Sequence, residues 1–254
     1  MTDTRRILEL SDIHFPYHDP YAVNLATRVV GMWQPDVVII NGDAVDFYAV
    51  SAYDRDPNQL RAGGLQREVD CLGEFLGELN RVKPAAAIVQ YLPGNHEDRL
   101  RRYLWRHSEL YGLSALELPN LLQLDKHGVQ FFPDEIELAG GELVVKHGTF
   151  VRKWGGLSAL AELENEKYSV STITGHTHRI GFTMIRTRHH LIGGWEGGCL
   201  CDLKPEYVKH PNWQQGVTLI TETTGSNHFS VTQVPFTGEG QHLKATVEGN
   251  TVRL

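Results

Sequence analysis

Apolar and polar positions along the chain follow two alternating periods. Residues 6–10, 36–40 and 85–92 are short apolar runs, and the second is so rich in β-branched side chains that it reads as a strand buried on both faces. Between these runs the period lengthens. Residues 20–33 place Ala22, Leu25, Ala26, Val29 and Val30 on one helical face, and residues 65–79 do the same with Leu65, Val69, Leu72, Phe75, Leu76 and Leu79. Leucines and arginines at helical spacing predict a further helix over 97–107, whereas the leucine-rich stretch 113–124 fits neither period. Short strands are expected over 128–132, 135–139 and 142–146, the last two joined at Gly140-Gly141 as a hairpin. A helix over 158–166 follows, then strands over 169–174, 182–188, 190–192, 217–222 and 229–234. The glycine-rich run from Gly193 to Gly198 is expected to form a conformationally special loop. Residues 48–66 have no clean period and predict a loop at the mouth of a site. The alternation of strand and helix predicts an α/β fold. One domain over 1–236 is expected, followed by a polar tail over 237–254 with a small hairpin about Gly249-Asn250.

Composition narrows the function classes. A chain of 254 residues can bury a two-sheet core in one domain. Its net charge of -7 does not mark the surface as a general nucleic-acid or membrane binder, and a local basic patch is compatible with it. Three cysteines, two of them in Cys199-Leu200-Cys201, make no disulfide framework and fit a reducing compartment; core thiols are favoured there over a zinc site. No apolar stretch approaches the ~18 residues needed to span a bilayer, so a cytoplasmic protein without a membrane segment is expected. The 13 histidines are unusual, and several stand beside Gly, Asp or another His, which invites a metal-site reading.

Those histidines recur at strand ends. Five separate ends carry Asp12 with His14, Asp43, Asn95 with His96, His147, and His176 with His178. Each has a bland explanation as a cap, a turn or a local hydrogen bond. Caps and turns do not, however, predict an Asp, His or Asn at one end of nearly every strand. Two divalent ions about 3.5 to 4 Å apart need a carboxylate between them and oxygen and nitrogen donors around them. Asp43 is the natural bridge, and a set of carboxylate, amide and imidazole suits Mn, Fe or Zn better than Mg or Ca.

The ordered blocks Asp12-Ile13-His14, Gly42-Asp43-Ala44-Val45-Asp46, Gly94-Asn95-His96-Glu97, His147-Gly148 and Gly175-His176-Thr177-His178 resemble the calcineurin-like metallophosphoesterase family. That resemblance implies a four-layer α/β/β/α sandwich, two mixed sheets flanked by helices. It implies an enzyme with two divalent ions, Mn foremost, with Fe or Zn as alternatives. By family roles Asp12, His14 and His178 hold one ion, Asn95, His147 and His176 the other, and Asp43 bridges. A hydroxide shared by the ions would attack phosphorus, with His96 protonating the leaving alkoxide. Asp46, Glu97 and Asp98 are the candidate partners that orient His96, and Arg99 could contact the substrate.

The protein-phosphatase branch of that family reads G-D-x-x-D-R-G and R-G-N-H-E. Here Phe47-Tyr48 follows Asp46, and Pro93 precedes Gly94. Loss of two arginines favours a singly charged diester, such as a cyclic nucleotide or a nucleic-acid end, over the phosphomonoester of a protein phosphatase. Arg99, Arg101 or Arg102 could compensate. Nuclease-like binding would draw on 99–102 and 186–188, a weak signal because charge runs usually form solvated faces. A catalytically silent scaffold with this fold should have lost ligands, and none is missing. An amide-cutting metallohydrolase fits the ligand chemistry but not the block order. A homo-oligomer is compatible with the sequence.

Overall fold

The computed structural model describes residues 4–52, 63–165, 170–205 and 211–254. Most of the loop expected over 48–66, including Asp54-Arg55-Asp56-Pro57, lies outside the described residues. The fold follows from how single strands divide their side chains. In β2 (Val37–Asn41) Val38 and Ile40 join the core beneath the helices, while Val37 and Ile39 face a second, smaller core. β1 (Thr4–Leu10) divides likewise, Leu8 and Leu10 to one side and Ile7 to the other. A strand apolar on both faces must be covered on both, which is why this sheet sits inside a sandwich.

The larger sheet has the order β11-β10-β1-β2-β3-β4, with β3 at Ile88–Leu92, β4 at Val129–Phe131, β10 at Gly216–Thr223 and β11 at Phe229–Pro235. Strands β1 to β4 run parallel, and β10 and β11 are antiparallel additions. The second sheet has the order β5-β6-β7-β9-β8, comprising Ile136–Leu138, Leu143–Lys146, Ser171–Thr174, Leu191–Gly197 and Ile180–Arg186 in that spatial order. Helices α1 (Pro20–Trp33) and α2 (Gly64–Val82) cover the first sheet, and α5 (Leu157–Asn165) covers the second, giving the expected four layers. Between them in sequence lie α3 (Asp98–Arg106) and the single turn α4 (Leu118–Leu121). Asp19 starts α1 by accepting from the amides of Tyr21 and Ala22, with Pro20 at the first helical position. No helix among the described residues is long and apolar enough to cross a membrane.

The glycine run corrects the expected loop. Residues 191–197 form β9, an interior strand paired with both β7 and β8. Its glycines admit neighbours rather than bend the chain. A Cβ at Gly193 would strike the Trp195 ring, one at Gly194 would press on Ala159 and Leu163 of α5, and one at Gly197 would meet the Glu9 carboxylate. Cys199 and Cys201 lie outside named strands, each making an isolated bridge, to Gln215 and His18 respectively. Near the C-terminus β12 (Lys244–Val247) and β13 (Asn250–Arg253) form a hairpin against α1. Ala245 and Val247 are buried there, and Trp33 Nε1 donates to Glu248.

The layer between the sheets is not wholly apolar. Glu9 is fully buried among its isoleucines and leucines and accepts one hydrogen bond from Asn41 Nδ2 at 3.0 Å. Burial, opposed only in part by Asn41, pushes its carboxyl up to about 7.

Candidate metal centre

The C-terminal ends of β1, β2, β3, β6 and β7 meet at one edge of the sandwich, where the two sheets face each other. The loops leaving them interlock through the backbone. Asp12 N donates to Gly42 O (3.2 Å), His14 N to Asp43 O (2.9 Å), His96 N to Asp43 Oδ1 (2.8 Å) and His176 N to Asp12 Oδ2 (2.9 Å). Asp12, His14, Asp43, His176 and His178 all have φ between 49° and 68°. Non-glycine residues held there cost on the order of 1 kcal/mol or more each, so five at one place mark a site that the surrounding bonds over-determine. Gly42, Gly94 and Gly175 make the approach feasible, since a Cβ at each would collide with His147, Asp43 and Asp12 respectively.

All seven residues expected to hold metal are brought together. Asp12, His14 and His178 form one group and Asp43, His147 and His176 another, with donor atoms in each group within 4.8 Å of one another. Asn95 joins the second group through Oδ1, 3.3 Å from His147 Nε2. Asp43 Oδ2 stands between the groups, 3.2 Å from His147 Nε2 and 3.8 Å from His14 Nε2. His178 Nε2 is 3.3 Å from Asp12 Oδ1 and 3.1 Å from His14 Nε2.

Three of these imidazoles are anchored from behind. His14 Nδ1 meets Asp46 Oδ2 (3.2 Å), His147 Nδ1 meets Asn41 O (3.0 Å), and His178 Nδ1 meets Cys201 Sγ (3.5 Å). Each Nε2 is thereby turned onto the carboxylates. That is the arrangement a metal-binding imidazole requires, one nitrogen to the ion and the other to a partner that fixes the ring. The electrostatics agree. Burial disfavours charge on His147 and His178, yet Asp43 and Asp12 override it and raise both to about 10. Burial likewise pushes the Asp43 carboxyl up, but His147, His96 and His14 together hold it well below the usual range. A cluster that draws protons so strongly draws divalent cations for the same reason, and its carboxylate, amide and imidazole donors suit a metal ion.

The candidate partners of His96 separate. Asp46 Oδ2 lies 3.1 Å from His96 Nδ1, and burial of Asp46 is outweighed by His14 and His96, which lower its pKa. Burial tends to discharge His96, but Asp46 and Asp43 raise it overall. Glu97 faces away and clamps the loop: its carboxylate accepts from the amides of Asp43, Ala44, Val45 and Gly94 and from the Tyr91 hydroxyl. Asp98 pairs with Arg101 and Arg102 on the outer face of α3. Arg99 does reach the site, with Nη1 2.9 Å from Asp46 Oδ1 and Nη2 3.0 Å from His96 Nε2.

Two contributors were not expected at the site. Cys201 touches His178 across 23 residues, and the Glu196 carboxylate takes the Thr177 hydroxyl (2.7 Å) and the amides of Gly156 and Ala159 at the start of α5. Glu196 thus fixes the turn between His176 and His178, and a lone acid within a glycine run was the only hint of it. Trp213 packs edge-on against His178 with ring centroids 4.3 Å apart.

The family model described as calcineurin-like phosphoesterase matches residues 5–180. Among curated proteins the chain is similar to the gene 54 protein of Mycobacterium phage L5, 27% identical over 92% of this chain and 95% of that one. It is also similar to the gene 54 protein of Mycobacterium phage D29, 28% identical with the same coverage. Among solved structures, Vps29 of Chaetomium thermophilum aligns over 98% of both chains at 11% identity, with a TM-score of 0.49.

Proposed function

The chain belongs to the calcineurin-like phosphoesterase family, and from that premise we propose that it hydrolyses phosphate esters, diesters in preference to monoesters, at a centre of two divalent ions. The observation that carries this reading is the set of back-anchored imidazoles, His14, His147 and His178, converging with Asp12 and Asp43. In it Asp12, His14 and His178 would hold one ion, Asn95, His147 and His176 the second, and Asp43 would be shared, with Mn the foremost metal. When bound, such ions activate water as a nucleophile and neutralise charge on the phosphoryl oxygens.

The protein's own groups supply the rest. His96 is the proton donor to the departing alkoxide, and Asp46 orients it while also steadying His14, so one carboxylate aligns a metal ligand and the acid. In the geometry seen here Arg99 donates to His96 Nε2, which must then accept and leaves the ring proton on Nδ1 toward Asp46. Arg99 therefore has to turn from His96 toward the substrate before His96 can carry its proton on Nε2. The charge of Arg99 is already matched by Asp46. Among the described residues it is the arginine seen in contact with His96 and Asp46, and that modest positive charge supports a singly charged diester over a dianionic monoester.

Mn-dependent hydrolysis of bis-p-nitrophenyl phosphate, beside p-nitrophenyl phosphate, tests this in wild type and in the Asp43→Ala and His96→Ala variants. Preferential cleavage of the diester, lost in both variants, is expected. Cleavage of the monoester alone would overturn the diester preference. Cleavage of neither with any divalent ion would overturn the hydrolase and return the chain to a scaffold role.

A further inference from the structure

One side of the centre opens into a cavity of about 950 Å³ that contains Asn95 and His147 in its wall. The remaining wall is largely hydrocarbon: Leu100 and Leu104 from α3, Phe131 from β4, and Tyr111, Leu113 and Leu116 from the irregular segment between α3 and α4. Leu100 and Leu104 form a buried floor, whereas Tyr111 and Leu113 stand 62% and 51% exposed at the rim. The cations in the wall are already matched, Arg101 by Asp98 and Lys146 by Glu162 at 3.4 Å. The other charged side chains in the wall include the carboxylates Glu117 and Asp134, which repel a further anion, and large apolar side chains left open to water beside the centre gain by covering a hydrocarbon group.

We infer that this cavity receives one ester arm of the substrate and that the arm is apolar and uncharged, a bulky alkyl or aryl group in place of a nucleoside. The inference rests on the phosphoesterase reading, because the phosphate must sit at Asn95 and His147 for the arm to enter. Leu116 of the segment between α3 and α4 also packs against the main core, so the segment is anchored beneath while Tyr111 and Leu113 stay at the rim.

Direct binding separates the arm from the reaction. Dialkyl phosphates carry two identical arms, so the outcome does not depend on which arm departs. Calorimetric titration of the Mn-loaded protein with dimethyl, diethyl and dibutyl phosphate should show affinity rising with each methylene, at least about tenfold from dimethyl to dibutyl. Leu113→Asp, a change at an exposed position that leaves the core intact, should reduce that ratio to about threefold or less. Equal affinities across the series would overturn the inference whether or not bis-p-nitrophenyl phosphate is cleaved. So would tighter binding of the dinucleotide TpT than of dibutyl phosphate. Failure to cleave bis-p-nitrophenyl phosphate, with the chain-length trend intact, would instead sink the hydrolase reading and leave an apolar phosphodiester-binding cavity.

Discussion

The two halves of the centre differ in enclosure. Asp12, His14 and His178 are buried, at 0, 4 and 8% exposure, with Asp46, Cys201 and Trp213 packed about them. Across Asp43, His147 is buried, but His176 is half-buried and Asn95 is exposed, and that half looks into the apolar cavity. Behind the closed half stand a carboxylate and a thiol; behind the open half, the Asn41 carbonyl holds His147 and Glu9 in turn holds Asn41. On the proposed reading, the closed half would retain its ion and the open half would exchange solvent and accept substrate. In this proposal the centre divides anchoring from turnover, with Asp43 as the shared element.

The largest effect should come from breaking that shared element. Asp43→Asn is expected to lower diester hydrolysis by a factor on the order of 10³ or more, since several kcal/mol of transition-state stabilisation are removed, and to leave at most one Mn per chain by elemental analysis. Next, His96→Gln should lower kcat about 10²- to 10³-fold without changing Mn content, which assigns His96 to the reaction and to neither half. As the acid, His96 must be protonated, and its pKa lies above the ordinary histidine value. Wild-type kcat should therefore fall as pH rises through the His96 pKa of the metal-loaded enzyme, and the variant should lack this alkaline limb. An unchanged limb in the variant would place the acid elsewhere.

Substitutions behind each half then test whether support differs between them. Glu9 has its folded pKa raised to about 7 from an ordinary 4.5 by burial, so the folded state binds its proton more tightly than the unfolded chain. Its contribution to stability is present below pH 4.5 and is lost as pH rises toward 7. Glu9→Gln should therefore stabilise the metal-free protein at pH 8, on the order of 2 kcal/mol by urea denaturation, with the gain vanishing near pH 4.5. A gain independent of pH would mean that Glu9 binds its proton alike in the folded and unfolded chain, with no raised pKa. The smallest effect is expected at Cys201. Replacing it with Ala should weaken one of two Mn sites about tenfold in a calorimetric titration, and Ser should restore part of the loss, because the partner orients His178 without holding the ion itself.

What the sequence made legible was the part of the centre written in short blocks. Each block joins a strand end to the loop that leaves it, so Asp12, His14, Asp43, Asn95, His147, His176 and His178 could be expected together before any distance was known, and the structure brings them side by side, with Asp43 within 4 Å of both His14 and His147. The span of α1 was legible too, because Pro20 and the apolar face bound it. The glycine run misled because glycine marks both turns and close packing: in β9 it admits Trp195, α5 and Glu9, neighbours distant in sequence. For the same reason no pattern disclosed that Asp46 serves two histidines, that Glu97 clamps the Asp43 loop, or that Cys201 backs His178. Such contacts belong to the assembled sheets. The cavity was equally hidden, since a leucine that lines a void and a leucine that fills a core look alike in sequence.

Electron paramagnetic resonance of the Mn(II)-loaded protein tests the shared centre most directly. Two ions about 3.5 to 4 Å apart through Asp43 should give an exchange-coupled multiline spectrum that collapses to the six-line signal of an isolated ion in Asp43→Asn. A six-line spectrum in the wild type, at two equivalents of Mn, would contradict a centre in which one carboxylate joins a closed half to an open one.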